Sequence, residues 1–429
     1  MSEVDVTAWD DARARSFLRE LFDVAVGAAD PAGVLAPHLP SSPAGRCVVV
    51  GAGKAAASMA AAVEAAWPDV PLSGTVVTPY GYGMATRRIA VREAAHPIPD
   101  ENSQAAAREI LAAVTGLTPD DLVLVLISGG GSSVMALPVE GVTLADKQLV
   151  NRRLLASGLD IRTMNAVRRR LSAIKGGKLA LAAAPARVVT LAVSDIPGDD
   201  VSSIASGPSI TDRAADIDLA AVIEKLGPGL PDNVVARLLQ RGLAATADTI
   251  VPDVRLISTP YRSLEDAADA ARAQGVVPVI LGDDIEGESA DVAAEMARMA
   301  LQPVDRPTVY ISGGETTVTL AGGPAGRGGR NTEFALAAIN AGRGDPRLWV
   351  LAGDTDGEDG SSGGAAGAIA TPDTIARAAA EGLDAGAAQR GHDSATFFAA
   401  IGDLIVTGPT RTNVNDFRAI LVVPEGCAQ

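Results

Sequence analysis

Residues 48–60 read VVVGAGKAAASMA. An apolar, β-branched run ends in a glycine turn, and an alanine-rich stretch of helical period follows, so the segment predicts a strand, a tight turn and a helix. Gly51 and Gly53 with Ala56 match the pattern G-x-G-x-x-A, in which the turn and the helix start point backbone N–H groups at a phosphate. Lys54 is the unusual residue, because a cation at the positive end of a helix is unfavourable unless an anion binds beside it.

The same alternation of strand and helix pattern continues along the chain. Ten short apolar runs are each stopped by Gly, Ser, Asp or Pro, and continuous runs of this length are typical of strands covered on both faces. They occupy residues 47–53, 74–79, 122–131, 187–195, 254–259, 276–283, 308–315, 348–357, 404–409 and 419–423. We therefore predict an α/β fold with mainly parallel, doubly wound sheets, whose ligands bind at the carboxyl ends of the strands.

The Gly- and Pro-rich interruptions GPGLPDN and TADTIVPD indicate a domain boundary between about residues 225 and 255. We predict one α/β domain over residues 1–240 and another over residues 241–429. Because each half supplies glycine-rich strand ends, we expect the active site in a cleft between the two domains.

Composition limits the class of protein. Apolar residues make up 47% and charged residues 21% of the 429 residues, which excludes a wholly disordered chain. The net charge of −16 argues against nucleic-acid and anionic-membrane partners. Cys47 and Cys427 suggest neither a disulfide framework nor a zinc site, and we find no secretory or membrane-spanning pattern. We expect a cytoplasmic protein.

A second glycine loop follows the most apolar strand, in ISGGGSSVMALP at residues 127–138. Its glycines free the backbone to form an anion-binding nest, and its serines add hydroxyl groups. A nucleophilic serine is disfavoured because the G-x-S-x-G elbow is absent. The residues predicted to bind phosphate here are Ser128, Gly129, Gly130, Gly131, Ser132 and Ser133.

Seven basic residues fall between Arg162 and Arg187, and no acidic residue occurs from Ile161 to Ser194. In NAVRRRLSAIKGGKLA we predict a helix capped by Asn165, with Arg168 and Lys175 about two turns apart on one face. The run is either a solvated helix face or the binding site of a small polyanion.

The second half of the chain also has a glycine-rich strand end and a cation near a helix start. YISGGETTV ends a strand in Gly313, Gly314 and Glu315, and a glycine-rich excursion then leads into a helix that opens near Asn331. Arg330 on this loop is suited to phosphate or carboxylate, because a guanidinium can bind two oxygens at once. The residues predicted to bind nucleotide or phosphate here are Gly313, Gly314, Glu315, Asn331 and Glu333.

Carboxylates follow two further strands. Asp195 ends one strand, where it could hold a divalent ion, accept a hydroxyl proton or cap the next helix. Asp354 and Asp356 begin the acidic run GDTDGEDG, which does not match an EF-hand but suits Mg²⁺ shared with nucleotide phosphates. The alternative for this run is an acidic surface turn.

Eleven segments spread over residues 48–416 stand in the same order as in a known family. They are VVVGAGKAA, AAHPIPDENS, ISGGGSSVMALP, NAVRRRLSAIKGGKLA, SDIPGDD, IASGPS, SGGETTV, GRGGRNTEFALA, GDTDGEDG, HDSATFF and TGPTRTNVND. Together they resemble the glycerate 2-kinases of the MOFRL family. One departure is SSGG at residues 361–364, where many members have Pro-Thr-Asp.

The resemblance implies an enzyme that transfers the γ-phosphoryl group of ATP to the 2-hydroxyl of D-glycerate, with Mg²⁺. It implies a Rossmann-like first domain, a MOFRL-type second domain, and direct catalytic roles for Lys54 and Arg330. Asp195 is our candidate for the general base and a metal ligand, beside Asp354 and Asp356. The expected partners are small molecules, and the sequence is compatible with a homodimer.

Two other functions stay open. An NAD(P)H-dependent hydroxypyruvate reductase is favoured by the G-x-G-x-x-A turn, but the acidic residue expected on the next strand for a ribose is replaced by Thr78, Pro79 and Tyr80. A non-catalytic anion-binding protein is the third hypothesis. It would use Lys54 and Arg330 for affinity alone.

Overall fold

The computed structural model describes residues 9–210, 217–240, 253–320 and 325–427. The chain forms two compact units, which we call the first unit (residues 30–258) and the second unit (residues up to 29 and from 259 onward). The predicted division at residue 240 therefore differs from the observed one in two ways. The strand Asp253–Ser258, which follows residue 240, belongs to the first unit. The N-terminal segment belongs to the second unit. Most of the interruption TADTIVPD lies outside the described residues.

The N-terminal segment joins the second unit through helix α1, Asp11–Gly27. Its apolar face buries Phe17 and Phe22 completely or nearly so, and Phe22 meets Phe417 edge to face with ring centroids 6.1 Å apart. The Trp349 indole N–H donates to Asp11 Oδ1 at 3.1 Å. The first predicted domain included this segment because its place in the sequence does not show which sheet it covers.

The first unit contains a six-stranded sheet in the order β3-β2-β1-β4-β5-β6, with every pairing parallel. This order is that of doubly wound nucleotide-binding sheets, and their ligands bind where the strand order reverses, here between β1 and β4. Strand β3 escaped the sequence analysis because it is short and only half-buried. The strands are β1 Cys47–Ala52, β2 Leu72–Pro79, β3 Ala90–Ala94, β4 Leu122–Ile127, β5 Arg187–Val193 and β6 Asp253–Ser258.

Helices and short helical turns connect these strands. They are α2 Pro31–Val34, α3 Ala56–Ala66, α4 Glu101–Ala113, α5 Gly131–Val134, α6 Leu144–Ala156, α7 Ile161–Arg170, α8 Lys178–Ala183, α9 Leu219–Leu226 and α10 Asp232–Leu239. The predicted helix from Asn165 onward is wrong in its bounds. Asp160 caps α7 by accepting from Thr163 N at 2.9 Å, Asn165 is internal and buried, and a break separates α7 from α8.

The second unit has a mixed sheet in the order β11-β10-β9-β12-β8-β7. Only β7 and β8 pair in parallel, and the other four pairings are antiparallel. The α/β class is confirmed, but the expectation of a mainly parallel sheet is wrong for this unit. The strands are β7 Val277–Gly282, β8 Thr308–Ser312, β9 Leu348–Asp354, β10 Gly367–Ala370, β11 Leu404–Ile405 and β12 Asp416–Val422.

Its remaining helices are α11 Pro260–Ala273, α12 Ser289–Ala300, α13 Arg330–Gly342, α14 Thr374–Ala380, α15 Ala385–Arg390 and α16 Ser394–Ala400. Helix α13 is buried on nearly all sides, with Phe334, Leu336 and Ile339 inaccessible to solvent. This burial fixes the helix start that carries Arg330. No helix in the part of the chain that the structure describes has the length and apolarity needed to cross a bilayer.

Candidate active site

Two glycine loops meet in the first unit where β1 and β4 end side by side. Lys54 N donates to Gly129 O at 2.9 Å, and Ala55 N donates to Ser128 Oγ, also at 2.9 Å. A Cβ atom at Gly53, whose φ is +130°, would lie 2.3 Å from Ser128 Oγ. Only glycine allows this approach, so the loops form one backbone surface at the reversal of strand order.

Lys54 lies over the second of these loops. A Cβ atom at Gly130, where φ is +76°, would come within 3.6 Å of Lys54 Cγ and 3.2 Å of His96 Nε2. Bare backbone at Gly130 therefore lets both side chains pack against the glycine loop. His96 was not among the predicted site residues. In the sequence it is marked only by its place in AAHPIPDENS, one of the segments that carry the family resemblance.

The three serines of this loop have different surroundings. Ser128 is fully buried, and its hydroxyl joins the two glycine loops. Ser133 Oγ donates to Gly130 O at 2.9 Å, and Ser132 Oγ lies 2.8 Å from Ser206 Oγ. The positions of Ser132 and Ser133 make them candidates for contact with a ligand, whereas Ser128 serves the loop itself.

The basic segment forms a pocket instead of an exposed helix face. Lys147, Arg168 and Lys175 line a small pocket together with Ser132 and Ser133. Lys147 and Lys175 are 8% and 1% exposed. We predicted Arg168 and Lys175 on one helix face, but α7 ends at Arg170, so they reach the pocket from a helix and from the turn after it. Lys147, which comes from α6, was not predicted.

Asp195 follows β5, the neighbour of β4, and is half-buried. Parallel strands end at the same edge, so Asp195 belongs to the edge that carries the two glycine loops. Its place suits a base or a metal ligand, and both roles remain proposals.

Arg330 is the centre of a charged cluster in the second unit. Its Nη2 is 2.7 Å from Asp354 Oδ2, its Nη1 is 2.8 Å from Glu315 Oε1, and its Nε is 2.9 Å from Asp416 Oδ1. Burial alone would lower the pKa of Arg330, but the charges of Asp416, Asp354 and Glu315 outweigh it and hold the pKa above its ordinary value. Arg330 is therefore always charged and fixed in direction.

A second arginine, absent from our predictions, stands behind this cluster. Arg418 is fully buried, donates to Asp416 Oδ2 at 2.6 Å and to Gly313 O at 2.7 Å. Its Nη2 also lies 3.4 Å from Gly314 O. The strand end at Gly313 and Gly314 thus offers its carbonyl oxygens to a cation. The prediction was instead that these glycines bind an anion.

The start of α13 is also occupied by the protein itself. The N–H groups of Asn331 and Thr332 each donate to Asp359 at 2.9 Å, so Asp359 holds the donors that a phosphate would need there. The Asn331 side chain donates to Asp416 at 2.7 Å.

Glu333 faces His392, with Oε1 3.5 Å from Nδ1, and burial raises the pKa of Glu333 to about 7. Both line a cavity of about 140 Å³ in the second unit. Neither Asn331 nor Glu333 has a contact that identifies a nucleotide site.

Asp354 and Asp356 are both buried, 4% and 3% exposed, at the end of β9. Asp354 Oδ1 accepts from Asp356 N, and Asp356 Oδ1 accepts from Glu358 N. In the described ranges no group of three or more His, Cys, Asp or Glu side chains is arranged to hold a metal. Two carboxylate donors do fit Mg²⁺, which usually takes one or two carboxylates and completes its shell with phosphates and water.

Comparison with known proteins identifies the family. Residues 17–239 match the model described as "Domain of unknown function (DUF4147)", and residues 308–416 match that of the MOFRL family. The chain belongs to the MOFRL family, which includes glycerate kinases.

A glycerate 2-kinase from Pyrococcus horikoshii is 38% identical over 392 residues, which cover 88% of each chain. The crystal structure of a glycerate kinase from Thermotoga maritima matches 96% of this chain and 100% of its own, with 33% identity and a TM-score of 0.85. A protein from Agrobacterium vitis, provisionally named hydroxypyruvate reductase, is 53% identical over 96% of each chain.

Proposed function

We propose that this protein is an ATP-dependent kinase that phosphorylates the 2-hydroxyl of D-glycerate and yields 2-phosphoglycerate and ADP. Glycerate kinases among its relatives support the reaction class. The observation that carries the proposal is Lys54, a cation on the glycine surface at the reversal of strand order, where phosphates bind in sheets of this topology.

The first unit would bind the phosphates. Gly51 and Gly53 let the two loops approach closely, the backbone around Gly129 and Gly130 would contact the phosphates, and Lys54 adds a positive charge. Phosphoryl transfer needs little covalent help from a protein, so positioning and charge account for most of the catalysis. Lys54 would neutralise charge that develops on the transferred phosphoryl group.

Arg330 would bring a second positive charge to the same phosphoryl group. Asp416 and Asp354, 0% and 5% exposed, fix one side of the guanidinium, whereas its third partner, Glu315, is 58% exposed. A phosphate would therefore replace Glu315 at Nη1 most easily, because that carboxylate can return to water. Glu315 would thus hold Arg330 only until the phosphate binds, and it would not contact the phosphate itself.

Asp354 and Asp356 are the residues that would hold Mg²⁺, with Asp195 as a third candidate. When bound, Mg²⁺ would neutralise phosphate charge and orient the leaving group. Asp195 would also accept the proton of the 2-hydroxyl, since a carboxylate can act as base to a hydroxyl held within hydrogen-bond distance.

A hydroxypyruvate reductase is the second candidate, favoured by the provisional name of the relative from Agrobacterium vitis. The strand β2 argues against it, because it ends at Pro79 and is followed by Tyr80 where dinucleotide-binding sheets place an acidic residue for the ribose.

One set of parallel reactions separates the candidates. Purified protein is incubated with ATP, Mg²⁺ and D-glycerate, and separately with NADH and hydroxypyruvate. We expect ADP in the first reaction and an unchanged NADH absorbance in the second. Oxidation of NADH without ATP turnover would refute the kinase. A third arm with excess EDTA should lose activity and regain it when Mg²⁺ is added.

A further inference from the structure

Three basic side chains surround the pocket of the first unit, and within the described ranges their hydrogen bonds go to neutral oxygens. Lys147 Nζ donates to Leu171 O at 3.3 Å, and Lys175 Nζ donates to Ser132 O. Arg168 makes two long contacts, 3.3 Å to Asn165 Oδ1 and 3.4 Å to Asn151 Oδ1. No carboxylate lines this pocket in the described part of the chain.

Buried cations without a counterion are energetically unfavourable. Burial, with the nearby charges of Lys178 and Arg168, lowers the pKa of Lys147 to about 7, and burial lowers that of Lys175 well below its ordinary value. An anion in the pocket would favour the charged form of both lysines and would pair with Arg168. A stable fold would gain more from apolar residues here, so the three cations point to a ligand.

The shape of the pocket limits what that ligand can be. Its cavity volume of about 20 Å³ leaves room for one small polar group such as a carboxylate, and Val150, Leu154 and Leu171 form apolar walls. Such a space suits the carboxylate end of a small organic acid better than a nucleoside triphosphate.

The pocket also adjoins the candidate active site. Ser133 lines it and donates to Gly130 O, and Gly130 is the residue against which Lys54 packs. A small acid anchored in the pocket by its carboxylate would therefore have its other end directed to the glycine loop.

We propose that Lys147, Arg168 and Lys175 form the subsite that binds the carboxylate of the small hydroxy acid substrate. This assignment rests on the proposed function for the identity of the acid. A phosphate group of ATP is also a compact oxyanion. The test therefore distinguishes the carboxylate of the acid from a phosphate of ATP.

The test is calorimetric titration of the full-length protein with D-glycerate, ATP and inorganic phosphate, each alone. We expect Arg168→Met to weaken D-glycerate binding by roughly tenfold or more, as for the loss of a charged hydrogen bond, and to leave ATP binding within about twofold. Arg162→Met is the matched control, because Arg162 is exposed on the same helix and lies outside the pocket. It should bind D-glycerate as the wild type does.

Lys147→Met is a second pocket variant, and its melting temperature is measured beside its affinity so that misfolding is recognised. Folded Arg168→Met and Lys147→Met proteins that bind D-glycerate normally would overturn the subsite. Weaker binding of ATP or phosphate with unchanged D-glycerate would instead show that the pocket holds phosphate, which also overturns it. Because these titrations need no turnover, they succeed or fail independently of the kinase reaction.

Discussion

Asp416 binds Arg330 through both carboxylate oxygens, each 2.9 Å from Nε. The same carboxylate, which is fully buried, also neutralises the buried Arg418. One aspartate thus fixes the direction of the proposed catalytic arginine and balances the charge of the arginine behind it.

Replacement of this carboxylate should destabilise the protein. In Asp416→Asn, Arg418 becomes a buried charge without a counterion, so we expect the free energy of unfolding to fall by about 3–5 kcal/mol in denaturant titrations. Glu315→Gln is the control, since Glu315 is mostly exposed and its loss should change stability by less than about 1 kcal/mol. Equal effects of the two substitutions would contradict this role of Asp416.

Lys54 and Arg330 should act together in catalysis. We expect Lys54→Ala and Arg330→Ala each to lower kcat by at least about 100-fold, as for groups that stabilise a transferring phosphoryl group. If both act on the same group, the double variant should lose less than the product of the single losses. Lys225→Ala, at an exposed position of α9, should retain full activity. A loss in the double variant equal to the product of the single losses would show that the two residues act separately. Retained turnover in both single variants would favour the non-catalytic anion-binding protein.

Lys147 should give a measurable pH dependence of stability. Its pKa is about 7 in the folded protein and ordinarily 10.5, so between these values the unfolded chain binds more protons. The free energy of unfolding of the wild type relative to Lys147→Met should therefore rise with pH, by about 1.4 kcal/mol per unit between about pH 7.5 and 9.5. A flat or falling difference would show that Lys147 stays charged in the fold.

Gly53 should not accept a side chain. Because an added Cβ atom would meet Ser128 Oγ at 2.3 Å and φ is +130°, Gly53→Ala should lower the free energy of unfolding by roughly 1–3 kcal/mol. It should also separate the two loops and reduce ATP binding. Gly27→Ala is the control, because nothing lies within 4 Å of the added atom, and it should not destabilise the protein.

Much of the fold could be predicted because buried strands leave a direct trace in the sequence. Runs such as LVLVLI of β4 are continuously apolar, and glycines mark where they end. Strand direction leaves no such trace. The antiparallel strands β9 and β12 are as completely buried as the parallel strand β4, so their patterns look alike.

The candidate site was predictable only where chemistry and local pattern coincide. Lys54 and Arg330 stand out as cations on glycine loops. Asp416 and Arg418 both lie in strand β12 and Lys147 lies in helix α6, so only the tertiary structure brings each one to its partners. Residues of this kind have no signal in a single sequence.

The most direct test of the central claim is the identity of the product. The wild-type protein is incubated with ATP, Mg²⁺ and ¹³C-labelled D-glycerate, and the product is examined by ¹³C and ³¹P NMR, which distinguish phosphate on C2 from phosphate on C3. The account predicts 2-phosphoglycerate, with ADP formed in equal amount. A product phosphorylated at C3, or no phosphorylated glycerate at all, would contradict it.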